Sequence, residues 1–501
     1  MSRHAARGEK VAFVDAASGE QITYRALEDQ AHQFANALRG LGFAPESRVL
    51  LAMLDTPQWP VVFLGCILAG VVPVAVNTLL TTADFGFMLR DSRVQGLVVS
   101  KALLPAFESL LGHIDTLRSV IVDGGDDADD SESNRSLAQV KRAQTATKTI
   151  APTCADDICF WLYSSGSTGA PKGTVHLHSH LIQTAELYGR GVLGINESDV
   201  VYSAAKLFFA YGLGNSLTFP MCVGATTVLL PTRPTPADVF DVLQKFQPTI
   251  FYGVPTIYAA LLSHSARPAR SALNLRICTS AGEALPAEIG RRWTAEYGCE
   301  ILDGIGSTEM LHIFLSNRPG QVRYGTTGQA VLGYLLRIVG DDGKLCGVGE
   351  IGELQISGPS AALMYWNNRA KTKATFAGEW TKSGDKYTVD ADGYYTYGGR
   401  SDDMLKVGGI YVSPFEVEAC LMRHAAVLEA AVIGVMDGEQ LVKPKAYVVL
   451  KAGAVATEGD LQTHVKQALA PYKYPRWIEF VSELPKTATG KIQRFKLRQQ
   501  H

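Results

Sequence analysis

The sequence has no long unbroken apolar run, no paired cysteines and no marked charge of either sign, and each lack removes a class of protein. Its strongest hydrophobic stretch, Val61 to Val76, is broken by Gly65, Gly70 and Pro73. That falls short of the ~20 residues a bilayer span requires, and it reads as a buried helix turning into a core strand. Residues Met1 to Lys10 lack the apolar core of a signal peptide. The eight cysteines are scattered singly, without a C-x-x-C pair. Reduced thiols in a cytoplasm fit that pattern, and a disulfide framework does not. A formal charge of −2 gives no reason to expect nucleic acid or an anionic membrane as a partner.

What is present describes a globular chain with more than one core: 501 residues, 47% apolar and 19% charged. Leu27, Ala31, Phe34, Leu38 and Leu41 recur at steps of four and three, one face of a helix that Gly42 and Pro45 end. A strand over 49–54 follows. Further short buried strands are predicted over 97–100, 119–122, 200–203, 226–230 and 249–252, so the pattern is α/β. Asp123 to Arg135 is too acidic to pack and reads as a solvated loop. Around Arg400 to Gly409 the text turns glycine-rich and charged. A strand over 407–412, a helix opened by the capping box of Ser413, Pro414 and Glu416, strands over 431–435 and 446–450, and a helix near 461–469 then make a small α+β unit. The predicted domains are 1–401 and 402–501.

The densest chemistry lies in Tyr163 to Gly173, Y-S-S-G-S-T-G-A-P-K-G, entered by an apolar strand from Ile158. Gly166, Gly169 and Gly173 let the backbone approach a ligand, Ser164, Ser165, Ser167 and Thr168 offer hydroxyls, and Lys172 offers a cation. That is the composition of a phosphate cradle, with a flexible Gly/Ser turn as the alternative. It is not the P-loop of kinases and GTPases, because Pro171 precedes the lysine and Gly173 follows it. Directly after it, His176, His178 and His180 alternate. A helix is expected to start there, where positions two apart face away from each other, which argues against a zinc site.

The loop resembles the phosphate-binding signature of the acyl-adenylating superfamily, which includes acyl-CoA synthetases, luciferases and peptide-synthetase adenylation domains. Motifs in the family's order run along nearly the whole chain. Asp303 to Met310, D-G-I-G-S-T-E-M, resembles its Gly-x-Thr-Glu motif, which implies a phosphate contact at Thr308 and a magnesium ligand at Glu309. Asp303, Gly304 and Ile305 would then lie at the nucleotide, with Ile305 where many relatives carry an aromatic ring. Ala281, Gly282 and Glu283 in S-A-G-E-A-L resemble the loop beside the adenine. Asp385 in W-T-K-S-G-D resembles the family's ribose-binding aspartate, and Arg400 in Y-G-G-R-S-D-D the arginine that accompanies it. Lys491 in P-K-T-A-T-G-K-I-Q-R matches the lysine that stabilises charge during adenylation. Asp402 stands at the family's hinge, about which the C-terminal domain is expected to swing, and Lys406, Gly408 and Gly409 resemble the strand lining the thiol's channel.

Lys206 to Asn215, K-L-F-F-A-Y-G-L-G-N, with His312 and Ile313, resembles the benzoate–CoA ligase branch. Carried over by position, Phe209, Ala210, Tyr211, Gly306, His312 and Ile313 would enclose a small aromatic ring, and core packing is the alternative for the aromatics. His312 could bond a ring hydroxyl or a neighbouring main-chain group. The resemblance implies a cytoplasmic, ATP-dependent, AMP-forming ligase that joins benzoate or a substituted benzoate to coenzyme A, uses Mg2+, and acts as a monomer or homodimer without nucleic acid or membrane. The alternatives are a ligase for short or medium aliphatic acids or for a carrier-protein thiol, and a nucleotide-binding sensor without catalysis.

Overall fold

The computed structural model describes residues 4, 7–125, 134–166, 169–401, 403–407, 410–438, 441–486 and 492–499. The amphipathic face read from the sequence forms the helix Tyr24–Gly40, capped by Thr23, whose hydroxyl accepts from the Ala26 amide. It packs on the helix Gln58–Ala69, and Gly65 makes the close approach possible: a Cβ there would lie 2.8 Å from the Phe34 ring and 2.9 Å from the Ala31 carbonyl. Gly70, at φ 74°, ends that second helix, and the chain enters the core strand Val72–Ala75. Among the described residues no helix is long and apolar enough to cross a membrane.

The large N-terminal domain is α/β, built on two main sheets. In one, Ile301–Gly306, Ile277–Ser280, Ile250–Gly253, Val200–Ser203, Thr226–Leu229 and Val11–Asp15 lie side by side and parallel. In the other, the antiparallel pair Ile158–Gly166 and Gly169–Leu177 joins Val72–Ala75, Arg48–Ala52, Gly96–Ser100 and Ser119–Asp123. An antiparallel sheet containing Gly352–Ser357, Trp380–Val389 and Tyr395–Arg400 follows. The small C-terminal domain is α+β: Val427–Met436, Val442–Leu450 and Trp477–Phe480 form its sheet, and the helices Pro414–Leu421 and Glu458–Ala468 cover one face.

A polar clamp sets the register of the parallel strands. Asp199, Thr249 and Arg276 each stand directly before one of three neighbouring strands. Arg276 donates to both oxygens of Asp199 at 2.8 and 2.7 Å, and the Thr249 hydroxyl donates to the same carboxylate at 2.6 Å. Asp199 is 2% exposed. Burial alone would raise its carboxyl, but the Arg276 and Thr249 bonds outweigh burial and hold it below the usual range.

Four expectations change. The segment over 407–412 is a hairpin of Leu405–Val407 and Ile410–Val412 rather than one strand. Ser413 caps its helix by accepting from the Glu416 amide, whereas the Glu416 carboxylate is bonded to Lys473 at 2.7 and 2.6 Å. Both ends of the acidic stretch enter the sheet, as Ser119–Asp123 and Asn134–Ser136, and burial pushes the Asp123 carboxyl up to about 6. Residues 126–133 lie outside the described residues. His176 belongs to the strand Gly169–Leu177, and the helix begins at His178.

Replacing Asp199 by Ala strips the exposed Arg276, the Thr249 hydroxyl and the Asn196 amide of their shared buried acceptor, so a loss of about 2 kcal/mol is expected by urea denaturation. Because the folded carboxyl is depressed, its contribution is complete above the ordinary carboxylate pKa and fades as pH falls below it. The difference between parent and variant should therefore shrink in acid.

Candidate active site

Parallel strands place the loops at their carboxyl ends on one edge of the sheet, the usual ligand-binding edge of α/β proteins. Lys206 to Tyr211 follow Val200–Ser203, Ala281 to Glu283 follow Ile277–Ser280, and Ser307 to Glu309 follow Ile301–Gly306. The other sheet contributes a hairpin tip. Ser164 pairs with Lys172 and Gly166 with Gly169, so Ser165, Gly166 and Gly169 lie in the strands that carry the glycine-rich loop. Ser167 and Thr168 lie outside the described residues.

The two edges meet at Glu309. The Ser164 hydroxyl reaches its Oε1 at 3.5 Å, and the Tyr365 hydroxyl donates to the same oxygen at 2.7 Å. The Lys172 ammonium lies 4.6 Å from the Tyr365 ring centroid. Burial pushes the Lys172 ammonium down, Lys371 and Arg400 push it the same way, and Glu309 opposes them. Burial, reinforced by the Glu309 carboxylate, raises the Tyr365 phenol far above its usual value, which keeps it a donor. The turn is also held from behind. His176 donates from Nε2 to the Thr308 carbonyl at 2.8 Å, and Ala362 donates its amide to the Glu309 carbonyl at 2.7 Å. His176 and His180, four positions apart, touch, with their Nδ1 atoms 3.0 Å apart.

Asp385 and Arg400, fifteen positions apart in sequence, are direct partners in the ladder between Trp380–Val389 and Tyr395–Arg400. The guanidinium donates to the Asp385 carboxylate at 3.2 Å. Gly384 adopts φ 73°, and a Cβ there would stand 3.0 Å from Arg400, so the turn beside the carboxylate requires glycine. On the base side, Ala281 is buried and Gly282 turns at φ 93°. Glu283 continues that loop, and Gly304 and Ile305 extend the neighbouring strand. Asp303 is 4% exposed, and burial drives its carboxyl well up against the opposing Leu285 and Gly304 amides.

The residues expected on the acyl side are tightly packed. The Asp55 carboxylate, pushed up to about 6 by burial, accepts from the Leu207 amide at 3.2 Å and pins the loop that carries Phe209, Ala210 and Tyr211. The Tyr211 hydroxyl lies 2.5 Å from the Thr279 hydroxyl. His312 is 2% exposed and donates from Nε2 to the Tyr211 carbonyl at 3.2 Å, so a main-chain group is its partner. Burial lowers its pKa to about 3, which keeps the ring neutral. It is wedged among Tyr188, Tyr211 and Phe219. Leu311 supplies the bend before it at φ 63°, a strained conformation for a branched side chain. Gly306 pairs with the buried Ile313.

Lys491, Asp402, Gly408 and Gly409 lie outside the described residues, and Lys406 is placed within Leu405–Val407. Tyr365, Lys371 and Asp55 went unread in the sequence, since no motif surrounds them. Among the described residues no group of three or more His, Cys, Asp or Glu side chains could hold a metal ion. The donor set at Glu309, one carboxylate beside a hydroxyl, suits Mg2+ that keeps waters and takes its remaining ligands from nucleotide phosphates.

Comparison with known proteins agrees with this geometry. The AMP-binding enzyme family profile matches residues 2–366, and the AMP-binding enzyme C-terminal domain matches 416–491. The chain is 60% identical to a benzoate–CoA ligase of Thauera aromatica, over 99% of this chain and 93% of that protein. The crystal structure of a benzoate CoA ligase from Burkholderia xenovorans LB400 superposes with a TM-score of 0.92 at 54% identity, over 99% of this chain and 98% of that one. An anthranilate CoA ligase, AuaEII, in complex with anthranoyl-AMP superposes with a TM-score of 0.94 at 45% identity, covering 100% and 96%. With both of its domains matched and its motifs in order from the glycine-rich loop to the C-terminus, the chain belongs to the AMP-binding enzymes of the acyl-adenylating superfamily.

Proposed function

We propose that the chain is an ATP-dependent, AMP-forming ligase of the benzoate–CoA ligase branch, joining benzoate or a small substituted benzoate to coenzyme A through an acyl-adenylate. The observation that carries this reading is the meeting of Ser164 and Lys172, from one sheet, with Glu309, from the edge of the other sheet that also carries Tyr211. The relatives named as benzoate–CoA ligases support the aromatic acid.

The triphosphate lies along Ser164 to Gly169, including Ser167 and Thr168, with Lys172 and Thr308 as further contacts. Magnesium, held by Glu309, supplies charge neutralisation on the phosphates. Asp385 accepts from the ribose hydroxyls with Arg400 fixing its carboxylate, while Ala281, Gly282, Glu283, Asp303, Gly304 and Ile305 flank the base. Phe209, Ala210, Tyr211, Gly306 and Ile313 hold the ring flat, and His312 braces Tyr211 from behind. A carboxylate oxygen attacks the α-phosphorus, the bond to pyrophosphate breaks, and Lys491 neutralises the developing charge. The CoA sulfur then attacks the acyl carbonyl carbon, and the carbon–oxygen bond to AMP breaks.

The second step needs the first lysine withdrawn, and the chain around Asp402 is suited to that. Ser401 donates its amide to the Gly384 carbonyl at 2.9 Å, on the large domain. The Asp403 carboxylate pairs with Arg494 at 3.8 Å and with Arg498, on the small one. The Asp403 and Met404 amides also donate to the Arg400 carbonyl at 3.1 and 3.0 Å, so the attachments to the two domains overlap at Asp403, and we place the hinge at the adjoining Asp402, with Lys406, Gly408 and Gly409 assigned to the thiol's channel.

Acid-dependent pyrophosphate exchange run with benzoate, hydroxybenzoates and hexanoate should favour the aromatic acids, and a preference for hexanoate would overturn the substrate assignment. Lys491→Ala is expected to slow adenylation by about a thousandfold while supplied benzoyl-AMP is still converted to thioester. Equal loss in both half-reactions would contradict its role. Gly214 abuts the imidazole so closely that a Cβ would fall 2.3 Å from His312 Cδ2. Gly214→Ala should therefore raise KM for benzoate by about tenfold and leave KM for ATP within about twofold. A parallel rise in both would move His312 out of the slot's wall.

A further inference from the structure

Tyr365 lies outside the motifs read from the sequence, yet it touches two residues on which the proposed reaction depends. Its hydroxyl donates to Glu309 Oε1 at 2.7 Å, and its ring faces the Lys172 ammonium 4.6 Å from the centroid. The side chain is 3% exposed. Its backbone pairs with Thr174 in the strand that carries Lys172, and its amide donates to the Thr372 hydroxyl at 3.1 Å. The next residue is anchored as firmly: the Trp366 amide donates to the Gly173 carbonyl at 2.7 Å and its indole to the Asp91 carbonyl at 2.9 Å. A side chain fixed from so many directions has one place to put its hydroxyl.

We propose that Tyr365 is a positioning residue that presets the Glu309 carboxylate for magnesium and the Lys172 ammonium for phosphate before the nucleotide arrives. This rests on the reading of Glu309 and Lys172 given above. Tyr365 and Ser164 both engage Oε1, so the other carboxylate oxygen is the one the metal takes. A bond to an ionised acceptor is strong enough to hold a flexible glutamate in one orientation. The ring does separate work. Its electron-rich face steadies an ammonium that Lys371 and Arg400 repel. Hydroxyl and face are different parts of one side chain, so substitution can divide them.

The test is calorimetric binding of ATP to the full-length protein without acid or CoA, in the absence and presence of Mg2+, with AMP as the reference nucleotide. Tyr365→Phe keeps the ring and should lose about tenfold of the affinity gained on adding Mg2+, with AMP binding and Mg2+-free ATP binding unchanged. Tyr365→Leu should also weaken Mg2+-free ATP binding by several-fold. Tyr365→Phe with the full Mg2+ gain overturns the proposal, and so does an equal loss for AMP, which marks a general distortion of the site. Glu309→Gln separates the two levels of the argument. If it keeps the Mg2+ gain, the metal-ligand reading fails and the positioning role with it. If it loses the gain while Tyr365→Phe retains it, only the positioning role fails. A thermal melt of Tyr365→Phe matching the parent keeps the comparison valid should Tyr365→Leu not fold.

Discussion

Lys172 is partly buried, drawn toward Glu309 and repelled by Lys371 and Arg400, and that balance of charges is the constraint around which the cleft is arranged. Like charges gathered in a partly desolvated site cost free energy until an anion enters, and the fold must hold them there meanwhile. Each is held by a different device. Lys172 is paired through the backbone with Ser164 and faces an aromatic ring. Arg400 is tied across a strand pair to Asp385. Lys371 sits in the helix Arg369–Thr375, its amide bonded to the Asn368 cap at 3.1 Å. Part of the cost of assembling these charges is thus met in folding, and a polyphosphate bound there as proposed would relieve it. That is how a site gains affinity for a triphosphate without flexible side chains having to be ordered at the moment of binding.

The devices work only if the two sheets keep their edges opposed. The Asp199–Thr249–Arg276 clamp lies at the amino ends of the strands whose carboxyl ends carry the Tyr211 and Ala281 loops. A slip of one residue in this ladder would turn every side chain along a strand to the opposite face. The clamp thus connects core stability to site geometry without touching a ligand. The small domain has an equivalent: Arg494 donates to Glu418 at 2.8 and 2.7 Å, and Glu418 accepts from the Val432 amide at 2.7 Å. That network binds the terminal helix Arg494–Arg498 to Asp403, whose amide also donates to the Arg400 carbonyl of the large domain.

How much of this was legible follows from the range of the interactions. The strands over 97–100, 119–122 and 200–203 were readable because burial on both faces writes itself as an apolar run, and the structure returns them within a residue. The glycine-rich loop was readable because its composition is local. Asp385 and Arg400 required likeness to a family, since their meeting is a property of a ladder between separate segments. Tyr365 in M-Y-W-N-N-R offers no local cue, because its role arises from pairing with a strand some 190 residues earlier. The histidines were misread for a related reason. Pairing of Phe160 with His176 extends the strand past the point where the pattern suggested a helix. Tertiary pairing overrode local propensity there, and again where the acidic stretch was drawn into the sheet at both ends.

The acyl slot shows where a preference for a flat ring can reside when no polar group dictates it. A Cβ at Gly212 would fall 2.0 Å from the Lys206 carbonyl, one at Gly214 2.3 Å from the His312 ring, and one at Gly306 2.6 Å from the His312 backbone. The walls are therefore in contact with their supports, and there is no slack into which they could retreat. Aromatic side chains backed in this way keep their planes parallel to whatever first defined the gap, and close-packed surroundings transmit any widening as strain. Tyr211 itself is held by His312 through its carbonyl and by Thr279 at its hydroxyl. If these residues enclose the acid as proposed, selection for planarity lies one layer behind the surface that touches it. His312 holds Tyr211 through Nε2, while its buried Nδ1 has no hydrogen-bond partner.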